Sequence, residues 1–245
     1  FLSGGIDSSA IVALMSQYEN KIKTFSIGFE ENDYNELSYA KIVAEKFNTE
    51  HIEFNVKPDC IDILPKLAWY YDEPYADSSA IPTYYVSKLA SKYVKVVLNG
   101  DGGDENFAGY ERYVANKLAH LLNKILSRKS LSKLNPFIMS IPHSKKASSL
   151  IWKLKRFLKG AEYSPSKRNG CWLSHFTSEM KQEGYTREFF DKVGNIDSLD
   201  IILEKYEESQ ADSIVDQVLY CDVSTYLPDD LLVKEIGRAS CRERV

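Results

Sequence analysis

The sequence predicts an α/β protein built on a doubly wound parallel sheet, with a helical extension toward its C-terminal end. Three observations point there. Strand-like and helix-like patterns alternate four times up to Leu98, two of the turns that follow a strand are dense in glycine, and past Asn106 the strand pattern stops. In such sheets ligands bind beyond the carboxyl ends of the strands, where the strand order reverses, so the turns at those ends are the places to search for function.

The chain opens on Leu2-Ser3-Gly4-Gly5-Ile6-Asp7-Ser8-Ser9, followed by the apolar run Ala10 to Met15. Adjacent glycines permit a turn that residues with a Cβ resist. A helix starting at Ser8 and running to about Tyr18 presents unpartnered N–H groups and the positive end of its dipole to that turn, an arrangement suited to phosphate. The alternative is an ordinary glycine turn with Ser or Asp capping a helix. A Walker loop, G-x-x-x-x-G-K-S/T, is not what the residues spell. Asp7 supplies a carboxylate instead, and beside phosphate it calls for a hard cation such as Mg²⁺.

Lys23 to Phe29 is β-branched and aromatic, a buried strand. Glu36 to Phe47 follows as a helix with Leu37, Ala40, Val43, Ala44 and Phe47 on one face, and His51 to Val56 alternates as a strand. Ile61, Leu64, Leu67, Ala68 and Tyr71 trace another helical face. Pro82 stands at the start of the next helix, and Val94 to Leu98 reads as a central strand. Straight after it comes Asn99-Gly100-Asp101-Gly102-Gly103-Asp104-Glu105, where glycines and carboxylates gather. A calcium loop of the EF-hand type has different ligand spacing. Phe107 to Ile125 is expected to be helical, and Ser127 to about Tyr226 helical or irregular. The domain division expected is 1–125 for a nucleotide-binding core, 126–234 for a helical part and 235–245 for a tail.

Composition narrows the classes. The chain has 245 residues, 44% of them apolar, and a net charge of −4, which gives no nucleic-acid surface. The basic interval Lys145-Lys146 to Arg156 and Lys159 is interleaved with Ile151, Trp152, Leu154, Phe157 and Leu158 at helical spacing. It reads as an amphipathic helix with a solvated basic face, the alternative being an RNA or membrane contact. Cys60, Cys171, Cys221 and Cys241 form no C-x-x-C pair, and a reducing cytoplasm is the expected compartment. No apolar run is long enough to span a membrane. His51, His120, His143 and His175 are scattered and make no metal cluster. Trp69-Tyr70-Tyr71 and Tyr84-Tyr85 are expected in the core. Asp72-Glu73 and Asp77, on a ligand-side loop, divide evenly between helix capping and a substrate role.

S-G-G-I-D-S-S resembles the PP-loop of the ATP pyrophosphatases, which split ATP between its α and β phosphates. With T-F-S-I-G-F, D-E-P-Y-A-D-S-S-A-I-P-T, L-N-G-D-G-G-D-E-N-F-A-G-Y and T-Y-L-P-D-D-L-L-V-K in this order, the chain to about residue 234 is similar to the synthetase domain of glutamine-hydrolysing asparagine synthetases. The resemblance implies that ATP and aspartate form β-aspartyl-AMP and pyrophosphate, and that ammonia from an N-terminal glutaminase domain then displaces AMP to give asparagine. It implies that Ser3, Gly4, Gly5, Asp7, Ser8 and Ser9 hold the pyrophosphate of ATP, and that Asp7 and Asp104 hold Mg²⁺. Leu2, Ile27 and Gly28 match positions lining adenine and ribose, and Gly100 a backbone contact to the nucleotide. Asp101 matches the acidic residue that takes a proton from ammonia. Asp104 and Glu105 match substrate-aspartate contacts. A homodimer is open to such a chain.

Departures from the family pattern stand at Asn99 for Ser, Asn106 for Leu and Ala108 for Gly. Asn99 keeps donor and acceptor capacity. Asn106 puts a polar group where packing under the loop is expected. The chain begins without Met inside a strand and is expected to be a fragment. The run Glu235 to Val245 resembles a sequencing adapter translated in frame and replaces the family's continuation, so the family's later catalytic lysine is missing and the fragment is expected to be inactive. Two other classes are alternatives: a relative that adenylates another carboxylate, such as a β-lactam or peptide-amide synthetase, and an ATP-binding module without turnover.

Overall fold

The computed structural model describes residues 1–29, 35–56, 60–73, 75–126, 128–141, 150–174, 176–193 and 196–235. The adapter-like residues beyond Glu235, His143, His175, Pro142, Gly194, the Lys145-Lys146 pair and most of the loop after Phe29 lie outside them. Two compact units make up the chain: Phe1–Asp104 with the chain from Tyr226 onward, and Glu105–Thr225. A boundary at residue 125 falls inside the second. The fold is α/β, mostly helical, with one two-stranded parallel sheet among the described residues.

In the first unit α1 (Ile6–Met15), β1 (Lys23–Gly28), α2 (Leu37–Lys46), β2 (Glu50–Asn55), α3 (Cys60–Tyr71) and α4 (Ala80–Ala90) follow the expected order. β1 and β2 pair in parallel from Lys23 opposite Glu50 to Gly28 opposite Asn55. Phe25, fully buried, packs with Val86 and Ala90 of α4. Leu2 and Val12 pack instead with Ala40 and Ala44 of α2, whose expected apolar face is thereby realised. Buried hydroxyls of the sheet find partners in it and beside it: Thr24 Oγ1 meets Thr49 Oγ1 and His51 Nδ1, each at 2.8 Å, and Ser26 Oγ donates to the Leu2 carbonyl.

Three expectations need correction here. Val94 to Leu98 is no strand: Val96 is 80% exposed, and although Val94 packs on the Phe25 cluster, the backbone bond that reaches the segment from the Phe1-Leu2 side is that of the Phe1 amino group to the Leu98 carbonyl. Leu2 N–H in turn donates to the Phe25 carbonyl at 2.9 Å. With two residues of backbone between Phe25 and Leu98 there is no ladder to continue. On α3 the buried face is Ile63, Leu67 and Tyr71, whereas Ile61 and Leu64 are exposed. Trp69, expected in the core, is 75% exposed, while Tyr71 and Tyr84 are buried as expected.

The second unit carries α5 (Gly103–Phe107), which begins at the end of the first, then α6 (Glu111–Ile125), α7 (Arg128–Ser140), α8 (Leu150–Ala161), α9 (Pro165–Leu173), α10 (Ser178–Gly184), α11 (Arg187–Val193), α12 (Asp200–Glu208) and α13 (Ile214–Ser224). The single helix expected from Phe107 to Ile125 is broken: Ala108 sits at φ +59°, a left-handed conformation that ends α5, and Tyr110 restarts the chain as the N-cap of α6. Asn106 is exposed rather than packed under the loop; its neighbour Glu105 is the buried side chain. Ala119, Leu131, Leu158 and Ala161 form one apolar core, and α8 supplies the expected amphipathic basic helix. A polar hub ties α6, α9 and α13. Asp222, fully buried, accepts from Arg112 Nη2 (2.8 Å), Tyr113 Oη (2.7 Å) and Asn169 Nδ2 (3.0 Å). The chain then returns to the first unit through a π-helical turn, Leu227–Leu231, and α14 (Leu232–Glu235).

Candidate functional site

The turn before α1 is shaped by its own hydroxyls. Gly5 N–H donates to Ser3 Oγ at 3.1 Å, Ser3 Oγ meets Ser8 Oγ at 3.0 Å, and Ser3 N–H donates to Ser8 Oγ at 3.3 Å. Gly4 takes φ +86°, and a Cβ there would stand 2.5 Å from the Tyr39 backbone, so no other residue fits. No side chain caps α1 at Gly5. The first intrahelical bond is Ser9 N–H to the Gly5 carbonyl, leaving the N–H groups of Ile6, Asp7 and Ser8 outside the helical ladder.

The second glycine-rich turn presses against the first. A Cβ at Gly103 would stand 2.4 Å from Asp7 Oδ1, and one at Gly100 would stand 2.9 Å from Ser8 N. Glycine is therefore what lets the loop after Leu98 lie on Asp7 and the start of α1. Within that loop Gly103 N–H donates to the Gly100 carbonyl at 3.1 Å, and Asn99 Nδ2 donates to Asp101 Oδ2 at 3.0 Å.

Between the two turns lies a cleft of about 270 Å³ lined by Phe1, Ser3, Gly5, Asp7, Ser8, Asn99, Gly100, Asp101, Asp104 and Glu235. Seven sequence-predicted site residues meet here: Ser3, Gly5, Asp7, Ser8, Gly100, Asp101 and Asp104. The others do not line it. Gly4 backs onto Tyr39, Leu2 is a core residue at 2% exposure, Ser9 has a buried hydroxyl in α1, and Ile27 and Gly28 end β1. Glu105 belongs to the second unit, where its Oε1 accepts from Tyr110 Oη at 2.5 Å. Among the described residues no Lys or Arg lines the cleft; the Phe1 amino group does, and burial lowers its pKa against the opposing pull of Glu235 and Asp101.

Sequence reasoning missed three participants. Glu235, set aside with the tail, reaches the cleft with Oε1 accepting from Thr83 Oγ1 (3.2 Å) and Oε2 from Asn99 Nδ2 (3.1 Å). Burial pushes its carboxyl pKa up, and the Asp101 charge adds to the rise. Thr83, in the first turn of α4, carried no signal beyond its place in the D-E-P-Y segment. Lys234, a buried side chain of the L-L-V-K motif, donates to Asp77 Oδ2 (3.1 Å) and Ser79 Oγ (2.8 Å), and Asp77 Oδ1 accepts from Ser79 N–H (2.9 Å). Asp77 is thus engaged at the entry to α4. Burial alone would raise its pKa, but the Ser79 hydroxyl and amide and the Lys234 ammonium outweigh that and hold it below the usual range.

Among the described residues no group of three or more His, Cys, Asp or Glu side chains is disposed to hold a metal ion. Comparison with known proteins gives the family. The asparagine synthase family model matches residues 1–244. Asparagine synthetase (glutamine-hydrolyzing) 1 of Bacillus subtilis is 31% identical over 241 residues, covering 96% of this chain and 35% of that protein. A putative asparagine synthetase (glutamine-hydrolyzing) of Mycobacterium tuberculosis is 32% identical over 239 residues, covering 96% of the chain and 34% of its own length. A putative asparagine synthetase (glutamine-hydrolyzing) 2 of Methanocaldococcus jannaschii is 45% identical over 128 residues, covering 51% of this chain and 25% of that one. The chain spans about a third of the length of the first two relatives. A match that runs through both glycine turns and both units makes the chain a member of the asparagine synthase family.

Proposed function

We propose that this chain is the synthetase part of an ATP-dependent amide-forming enzyme that converts aspartate, ATP and ammonia to asparagine, AMP and pyrophosphate through β-aspartyl-AMP. The observation that carries the reading is the seating of the glycine-rich loop of Asp101 and Asp104 directly on Asp7 at the start of α1, in one cleft. The names of the relatives support the glutamine-dependent form, with ammonia delivered by a glutaminase domain of the longer protein. A cytoplasmic setting fits Cys171 and Cys221, which form no disulfide.

The finer fold reading is a doubly wound sheet of the PP-loop type. Backbone bonds run from Leu2 to Phe25 and from Phe1 to Leu98, so β2, β1, Phe1-Leu2 and the end of Val94 to Leu98 stand in that order. The chain direction of connection reverses beside Phe1-Leu2, and the cleft opens there, where doubly wound sheets bind ligands.

In this reading the Ile6, Asp7 and Ser8 amides and the Ser3 and Ser8 hydroxyls bind phosphate oxygens, with Gly4, Gly5, Ser9, Gly100, Leu2, Ile27 and Gly28 shaping the nucleotide site. Asp7 and Asp104 fit a Mg²⁺ ion, which takes one or two carboxylates and completes its shell with phosphate oxygens and water. When bound, the ion supplies charge neutralisation on the phosphates and the pyrophosphate leaving group. Asp101, fixed by Asn99, takes the proton from the attacking ammonia, work worth on the order of 10²- to 10⁴-fold. Calorimetry tests the nucleotide site: ATP affinity should depend on Mg²⁺ and collapse in Asp7→Ala. Equal affinity for both proteins, in Mg²⁺ and in EDTA alike, would remove the reading.

A further inference from the structure

Glu235 is a carboxylate held by two neutral donors from separate elements. Thr83 Oγ1 in the first turn of α4 bonds Oε1 at 3.2 Å, and Asn99 Nδ2 in the loop after Leu98 bonds Oε2 at 3.1 Å. One donor to each oxygen is the pattern by which a protein recognises a carboxylate group. The surroundings of Glu235 pull both ways: the Lys234 charge and the Thr83 and Asn99 hydrogen bonds favour its ionised form, and burial and the Asp101 charge outweigh them. Lys234, next in the chain, is committed to Asp77 and Ser79, and Asn99 Nδ2 is shared with Asp101 Oδ2 at 3.0 Å, which brings two negative groups onto one amide. Burial and the Asp101 charge both work against ionised Glu235.

We infer that Thr83 and Asn99 form a carboxylate-binding subsite in the wall of the cleft, occupied in this chain by the side chain of Glu235. For its ligand class the inference rests on the amide-synthesis reading: the group expected there is the carboxylate of a small acid such as an amino-acid side chain. The shared Asn99 amide gives the subsite its chemical sense. A carboxylate seated on Asn99 stands beside Asp101, which is where a base has to be to take a proton from a nucleophile attacking the acyl carbon. A tethered carboxylate competes with a free one at an effective concentration of ~1 mM or more, so Glu235 closes the subsite to dilute ligand.

The test uses the 245-residue chain with L-aspartate and acetate as probes, followed by calorimetry and by the NMR signals of the Asn99 side-chain amide. Glu235→Ala should bind L-aspartate at least about tenfold more tightly than the starting chain, since two hydrogen bonds to a charged group become available. Glu235→Gln, which keeps an oxygen and the volume in place, should show no such gain. Adding Thr83→Val or Asn99→Ala to Glu235→Ala should abolish it. No gain for either probe in a Glu235→Ala protein that keeps its amide-exchange protection in β1 and β2 would overturn the subsite. So would an equal gain in Glu235→Gln, which would mark charge repulsion rather than occupancy, or a gain that survives loss of Thr83 and Asn99. A gain for acetate without one for aspartate would keep the subsite and remove aspartate as the substrate.

Discussion

Asp222 in the helical unit and Asp7 in the cleft are the same residue type in opposite surroundings. Asp222 is fully buried, and an arginine, a tyrosine and an asparagine converge on its two oxygens. Its neighbour Arg112 shows the balance: burial alone would depress the guanidinium pKa, yet Asp222 holds it above the usual value. Asp7 is only half-buried, lies against glycine, and shares its cleft with Asp101, Asp104 and Glu235, with no lysine or arginine lining the wall among the described residues. A carboxylate whose counter-charge is built into the fold holds the fold together. Carboxylates gathered in an open cleft are, in the proposed reading, placed for a ligand.

The sharpest way to break that comparison is to remove the built-in partner. Asp222→Ala leaves Arg112 buried without its counter-charge and Tyr113 and Asn169 without an acceptor, a loss of roughly 3 to 5 kcal/mol of stability. Urea unfolding of the variant and the parent measures it. A change below about 1 kcal/mol would mean the hub is not holding α6, α9 and α13 together.

Gly103→Ala attacks the cleft side. The new methyl would meet Asp7 Oδ1 at 2.4 Å, so either the carboxylate swings away or the loop lifts. Overpacking of this kind costs about 1 to 3 kcal/mol, but the telling effect is on ligand. If Asp7 stands at a phosphate site as proposed, ATP affinity in Mg²⁺ should fall far more than stability does. Equal proportional losses would place Asp7 with Asp222 as a structural aspartate.

The Asp77–Lys234 pair stands between the two extremes, with the lysine buried and the carboxylate partly open to water. Lys234→Met should cost roughly 1 to 3 kcal/mol, less than the hub because solvent reaches Asp77. The folded pKa of Asp77 is depressed, so its contribution is fully present above the unfolded value of about 3.9 and is lost as pH falls through the folded value. In Asp77→Asn the acid limb of the stability curve below about pH 4 should flatten. An unchanged acid limb would show that the Asp77 contacts with Ser79 and Lys234 add nothing to folding.

What could be read from the sequence was what short-range sterics dictate. Gly4 and Gly100 mark turns pressed against other backbone and Gly103 a turn pressed against the Asp7 side chain, and their spacing after apolar runs sufficed to find both walls of the cleft. The partners of those walls were hidden because they lie far along the chain: Thr83 and Asn99 converge on Glu235 across more than a hundred residues. On α3 two apolar faces compete at helical spacing, Ile61 with Leu64 and Ala68, or Ile63 with Leu67 and Tyr71. Periodicity alone cannot choose, and packing against Ala80 and Tyr84 chose the second. Val94 to Leu98 has the composition of a central strand, but a strand also needs a neighbour long enough to pair with.

Ala108 allows the smallest and most local test of how far the fold tolerates a departure from the family pattern. Among the described residues three that are not glycine take positive φ: Asn48 at 49°, Asp72 at 60° and Ala108 at 59°. Asn48 and Asp72 follow the ends of α2 and α3, where Asn and Asp bear a left-handed conformation comparatively well, and Thr49 N–H closes the α2 end on the Ala44 carbonyl at 3.0 Å. Ala108 has no such polar side chain, and its Cβ crowds the following carbonyl. Ala108→Gly relieves that strain but gives the unfolded chain more freedom, a cost of about 0.4 to 1 kcal/mol; the strain, about 1 to 2 kcal/mol, is the larger. The variant should therefore be more stable by on the order of 0.5 to 1 kcal/mol in urea unfolding, with Asn48→Gly changing stability by less. A destabilised Ala108→Gly would mean that the break between α5 and α6 is held by packing strong enough to make the left-handed alanine free of strain.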